Sequence, residues 1–162
     1  MSLPERKINR LSGYDYSQNG GYFITICVHN KKRILSSVGD GFPVPKLTAY
    51  GRIVEEHICS INKRFPQIAV EKYVIMPNHI HILAVIDRSV LGTGDPSPTI
   101  GTMVGWLKYQ TTKQINLLRE SVGERVWQRS YYDHIIRCQQ DYEEIWRYID
   151  ENPLRWLSDR LF

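Results

Sequence analysis

The sequence predicts an α+β fold: one antiparallel β-sheet, two amphipathic helices on one of its faces, and a further helix near the C-terminal end. Three observations carry this expectation. Strand-like runs occur at four places along the chain, and helical hydrophobic periods separate the first from the second and the third from the fourth. The two middle runs are joined only by Pro77-Asn78, whose turn chemistry leaves little room for anything but a tight antiparallel connection.

The first strand is read at Tyr22–Val28, where β-branched and aromatic residues dominate and Tyr22, Ile24, Ile26 and Val28 share a face. Gly39, Gly41, Pro43 and Pro45 then break the chain in a loop from Ser36 to Lys46. From Thr48 the period turns helical. Tyr50, Ile53, Val54, His57, Ile58, Ile61 and Phe65 fall on one stripe, and Pro66 closes it. Strands are expected at about Ile68–Met76 and His79–Ile86, followed by a loop from Arg88 to Pro98.

A second helix is marked by Ile100, Met103, Val104, Leu107, Ile115 and Leu118, with Trp106, Lys108, Tyr109 and Lys113 on its opposite side. A fourth strand lies within Tyr131–Arg137. The final helix runs from about Gln140 to Glu151 and is stopped by Pro153, because the residue before proline disfavours the helical region. The order βαββαβ with a terminal helix is that of a ferredoxin-like, split-βαβ (RRM-like) sheet, with one face left for a partner or the last helix.

A chain of 162 residues with 42% hydrophobic content suits a single domain, residues 1–162 with a core at about 20–156. Cys27, Cys59 and Cys138 form no C-x-x-C pair and leave an odd one over, so a reducing cytosol is expected rather than a disulfide framework. Met1–Arg10 carries Glu5, Arg6, Lys7 and Arg10 but no apolar run, and no stretch is long enough to cross a bilayer. The net charge of +4 and pI near 9.0 favour polyanionic partners without requiring them.

His79-Ile80-His81 lies in a strand, so both imidazoles project from one face and can share a metal ion. Packed or surface histidines fit an isolated H-x-H equally well, so the motif needs company. Asn152 offers a further polar ligand, one helical turn after Tyr148 and about 6 Å from it on the same side. Tyr148 also fits as an amphipathic packing residue among Tyr142, Ile145 and Ile149, and Asn152 as a mere helix stop. A third histidine in place of Leu83 would be needed for the alternative HIT-type phosphate-transfer motif.

Met76-Pro-Asn-His-Ile-His-Ile-Leu83, Tyr132-Asp-His-Ile-Ile-Arg137 and Tyr148-Ile-Asp-Glu-Asn-Pro153, in that order, resemble the REP-associated tyrosine transposases. These are bacterial relatives of the insertion-sequence 200-like, single-tyrosine HUH transposases. The resemblance implies that His79, His81 and Asn152 hold a divalent metal, magnesium or manganese, and that Tyr148 is the nucleophile on the C-terminal helix. It also implies nicking and rejoining of single-stranded DNA near hairpins through a covalent 5′-phosphotyrosine, with no nucleotide cofactor. With the chain closing at Phe162, a longer DNA-contacting tail is not expected.

The location implied is cytoplasmic and nucleoid-associated, without membrane contact, and a homodimer and a monomer both suit the sequence. DNA contacts are expected from Lys31, Lys32 and Arg33 and from Trp106, Lys108, Tyr109 and Lys113. His134 is read either as a buried, hydrogen-bonded strand histidine or as a proton shuttle, and stays outside the catalytic set. The competing function is a non-catalytic nucleic-acid-binding module, since sheets of this kind also serve as RNA platforms. Against it, no RNP-type aromatic signature is evident.

Overall fold

A computed structural model describes residues 20–39, 44–90 and 98–156. The N-terminal segment Met1–Arg10 and the centres of both expected loops lie outside the described residues. In chain order the elements are β1 (Gly20–Cys27), β2 (Ser36–Ser37), β3 (Lys46–Leu47), α1 (Ala49–Cys59), α2 (Ile61–Arg64), β4 (Ile68–Ile75), β5 (His79–Ile86), α3 (Ile100–Leu118), β6 (Tyr132–Ile136) and α4 (Gln139–Glu151). β1, β4, β5 and β6 form one antiparallel sheet in the order β4-β5-β1-β6.

Alternation divides the residues of this sheet between two cores. Tyr22, Ile24 and Ile26 of β1 and Ile80, Ile82, Ala84 and Ile86 of β5 face α1 and α3, where Val54, Ile58, Met103, Val104, Leu107 and Ile115 complete a buried cluster. Both helices start on a threonine cap: Thr48 Oγ1 accepts from the Gly51 amide and Thr99 Oγ1 from that of Thr102. Close packing fixes Gly51, because a Cβ there would stand 2.0 Å from the Leu35 carbonyl oxygen. The opposite face of the sheet carries His79, His81 and Leu83, and α4 lies over part of it through Ile145 and Ile149 against Val74, Met76 and Leu83.

Strand β4 changes face part-way. Val70 pairs with Ala84 but Lys72 pairs with Leu83, leaving Glu71 as an extra residue in a β-bulge. Before the bulge, Ile68 and Val70 belong to the helix-side core; after it, Tyr73 and Ile75 do, and Lys72 and Val74 pass to the α4 side.

Three expectations need correction. The first helix is two helices, because Ser60 turns its hydroxyl back onto the Glu56 carbonyl and the chain tightens there. Leu118 is 53% exposed rather than part of the buried stripe; Asn116 is buried instead, with its amide donating to the Glu124 carbonyl. The Ser36–Lys46 loop contributes β2 and meets β3 in a small ladder. The last helix, by contrast, ends at Glu151 as expected, two residues ahead of Pro153. Asn152 keeps helical dihedrals, and the chain tightens to i→i+3 bonds, from Asn152 N to Ile149 O and from Leu154 N to Glu151 O, spacings that do without the missing proline N–H.

Candidate active site

His79 and His81 stand one residue apart on the same face of β5, their ring centroids 4.7 Å apart and their side chains 0% and 2% exposed. Each ring is steered through Nδ1. His79 Nδ1 donates to Asn78 Oδ1 at 2.7 Å, and His81 Nδ1 lies 2.8 Å from Thr25 Oγ1, Thr25 being its direct partner on β1. A carbonyl oxygen on Asn78 can only accept, which leaves the proton on His79 Nδ1 and the lone pair on Nε2. Burial, and next the neighbouring His79, push the His81 pKa well below its ordinary value, so that ring is neutral at neutral pH.

Helix α4 brings the tyrosine to the pair. The half-buried Tyr148 ring meets His81 at 5.4 Å and Phe23 edge-on at 5.9 Å, while Phe23 stacks on His81 at 5.0 Å. Two turns further on, Trp156 stacks on His79 at 6.1 Å. Asn152 lies midway on this i, i+4, i+8 stripe, flanked by one residue against each histidine, and is 1% exposed. His79 Nε2, His81 Nε2 and Asn152 Oδ1 are all shielded from solvent, and that of His81 makes no hydrogen bond among the described residues.

Two imidazole nitrogens and an amide oxygen form a donor set suited to a divalent cation. Among the described residues no group of three His, Cys, Asp or Glu side chains could hold one, so any such site here depends on the amide. The other candidate tyrosines sit elsewhere. Tyr131 is buried in the core under the helices, Tyr132 is 47% exposed on β6, and Tyr142 packs against Trp146.

The expected DNA-binding residues separate into two groups. Arg33 sits over the Trp156 ring, 5.6 Å from its centroid, and so borders the histidines. Lys31 and Lys32 precede it on the same exposed turn, with Lys32 4.0 Å from Glu124. By contrast, Trp106, Lys108, Tyr109 and Lys113 lie on α3, across the sheet from His79 and His81. Trp106 packs between His57 and Phe65, and Lys108 Nζ donates to the Gln128 and Ser130 carbonyls at 2.7 and 2.9 Å. Tyr109 and Lys113 are exposed.

His134 is a surface group, its side chain 55% exposed, with Nε2 2.8 Å from Asp141 Oδ2 in the first turn of α4. Thr25, Asn78, Phe23 and Trp156 escaped the sequence reading. Only for Thr25 did a signal exist, as a polar residue on the face of β1 opposite Ile24 and Ile26.

Comparison with known proteins comes out consistently. A family model described as Transposase IS200 like matches residues 22–152. An uncharacterized protein of Haemophilus influenzae is 34% identical over 174 residues, covering 99% of this chain and 94% of that protein. A second protein of that organism, provisionally named a REP-associated tyrosine transposase, is 26% identical over 150 residues, covering 87% and 74%. Among solved structures, a REP-associated tyrosine transposase bound to a REP hairpin superposes with a TM-score of 0.64 at 21% identity, covering 90% of this chain and 74% of that one.

Proposed function

The chain belongs to the IS200-like transposase family, and from that premise we propose that it is a metal-dependent enzyme that nicks and rejoins single-stranded DNA near hairpins, with Tyr148 as nucleophile. One observation carries the reading: a tyrosine on a separate helix stands 5.4 Å, ring to ring, from a buried and neutral His81. The strand order β4-β5-β1-β6, with helical crossovers on one face, is read as ferredoxin-like.

His79 Nε2, His81 Nε2 and Asn152 Oδ1 would hold the cation. The buried His81 Nε2 without a hydrogen bond, and the Nδ1 contacts to Asn78 and Thr25, support that fit. A bound magnesium or manganese ion would supply Lewis-acid polarisation of the scissile phosphate. Among residues of the chain, Tyr148 supplies the attacking oxygen once it has lost its proton, whose unperturbed pKa is about 10. Its oxygen bonds to phosphorus as the bond to the 3′-oxygen breaks and that oxygen takes up a proton. The product is a 5′-phosphotyrosine beside a free 3′-hydroxyl. The phosphodiester bond energy is retained, so rejoining requires no nucleotide cofactor.

Hairpin DNA is the proposed substrate because a solved relative of like fold binds a REP hairpin. Arg33, bordering the histidines over Trp156, with Lys31 and Lys32 beside it, is assigned to the DNA backbone. The test incubates labelled single-stranded hairpin DNA and manganese with the wild type, Tyr148→Phe and Tyr142→Phe, followed by a denaturing gel. A covalent adduct is expected from the wild type and Tyr142→Phe; an adduct from Tyr148→Phe would overturn the mechanism.

A further inference from the structure

We propose that Lys72 is a positioning residue that sets the rotation of α4 and so aims Tyr148 at the histidine pair. The inference deepens the assignment of Tyr148 as nucleophile and rests on it. It begins with the bulge. Had β4 kept strict alternation after Val70, Lys72 would have followed Val70 into the core beneath α1 and α3; the extra residue Glu71 instead turns it to the α4 side. There its side chain is 20% exposed and its Nζ meets two α4 residues together, Asp150 Oδ1 at 2.6 Å and the Trp146 ring at 4.2 Å from the centroid.

Trp146 and Asp150 are spaced i, i+4 and form one stripe of the helix. Tyr148 lies between them in sequence but about 200° round the axis from Trp146, given ~100° per residue. Gripping the one stripe therefore sets where the other points. A side-chain tip about 5–6 Å from the axis moves roughly 2 Å for a 20° rotation, and a misplacement of ~1 Å can cost about a hundredfold in rate.

Apolar packing holds α4 through Ile145 and Ile149 against Val74, Met76 and Leu83 and stops short on the β4 side. A cavity of about 380 Å³ opens there, lined by Lys72, Tyr73 and Val74 of the strand and by Ile149, Asp150 and Pro153. Beside that gap, Lys72 spans from strand to helix.

The experiment uses the full chain, comparing Lys72→Gln, Lys72→Arg and Asp150→Asn with the wild type and Tyr148→Phe. Adduct formation is followed in single turnover at saturating hairpin DNA with manganese, DNA affinity by anisotropy, and amide exchange of residues 139–151 by mass spectrometry. Lys72→Gln and Asp150→Asn should slow the adduct by about tenfold to a hundredfold, leave the DNA dissociation constant within twofold, and raise exchange across α4. Lys72→Arg, which keeps both contacts within reach, should recover most of the rate. An unchanged rate in both neutral variants would overturn the proposal. If no protein forms an adduct, the nucleophile assignment fails, and unchanged α4 exchange in Lys72→Gln would then refute the grip independently.

Discussion

Thr25 and His81 face each other across β1 and β5, hydroxyl to Nδ1 at 2.8 Å. The hydroxyl, able to donate or to accept, holds the orientation of the ring, and where it accepts from Nδ1–H it leaves Nε2 as the lone-pair donor for the proposed cation. Thr25→Val keeps the shape and removes the oxygen. It should weaken manganese affinity by about tenfold to a hundredfold, read as a shift in the metal concentration for half-maximal adduct formation. Cleavage should return at high manganese; an unshifted metal titration would rule out the orienting role.

Metal binding should register without any DNA present. At a hundred times its dissociation constant, a ligand of the native state alone adds about 2.7 kcal/mol, or roughly 5–10 °C in Tm for a chain of this size. Manganese should raise the wild-type Tm on that scale. His81→Gln and Asn152→Leu should lose most of the increment, and an equal increment in both would remove these residues from the site.

Lys108 and Arg33 should behave oppositely despite equal charge. Lys108→Met leaves two carbonyls without their donor and should cost about 1–2 kcal/mol, with hairpin binding and its salt dependence unaltered. Arg33→Ala should weaken binding to all hairpins and lower the slope of log affinity against log salt by about one. Thermal melts and anisotropy titrations over a salt series measure both, and a reversed pattern would move the DNA surface to α3.

Two helical glycines should also differ in sign. At Gly51 a methyl would meet the Leu35 carbonyl oxygen at 2.0 Å, whereas at Gly105 nothing lies within 4 Å of the added carbon. Gly51→Ala should cost at least about 1–3 kcal/mol through forced backbone movement. Gly105→Ala, relieved of glycine's backbone freedom, should gain up to about 1 kcal/mol. Denaturant melts of the two variants check both directions.

Legibility followed the reach of each signal. β5 and α3 were readable to their end residues: the apolar run of β5 continues from Ile80 to Ile86, and Leu118 marked the end of α3 although it lies outside the buried stripe. β4 was readable as a strand but not as one that changes face, since Val70 and Tyr73 share a core only through the bulge. Spacing offered His79 with His81 and Tyr148 with Asn152 as candidate pairs, and the family resemblance supplied their expected roles. Phe23, Trp156 and Lys72 are defined by what another element sets against them, which no local pattern encodes. Lys108 shows the converse: a basic residue on a helix's outer side looks solvent-directed until the 128–130 segment returns with two carbonyls that accept from its ammonium.

Helix α4 joins the sheet from far along the chain, with Tyr148 and Asn152 more than sixty residues beyond His81. All four strands of the main sheet and both covering helices precede it. During synthesis the scaffold and the histidines can therefore be complete while Tyr148, the proposed nucleophile, has yet to be made. A chain interrupted between residues 87 and 147 retains a strand bearing two imidazoles and lacks Tyr148. On the reading proposed above, such a truncated chain lacks Tyr148 and Asn152 together, and the site is complete only once α4 docks.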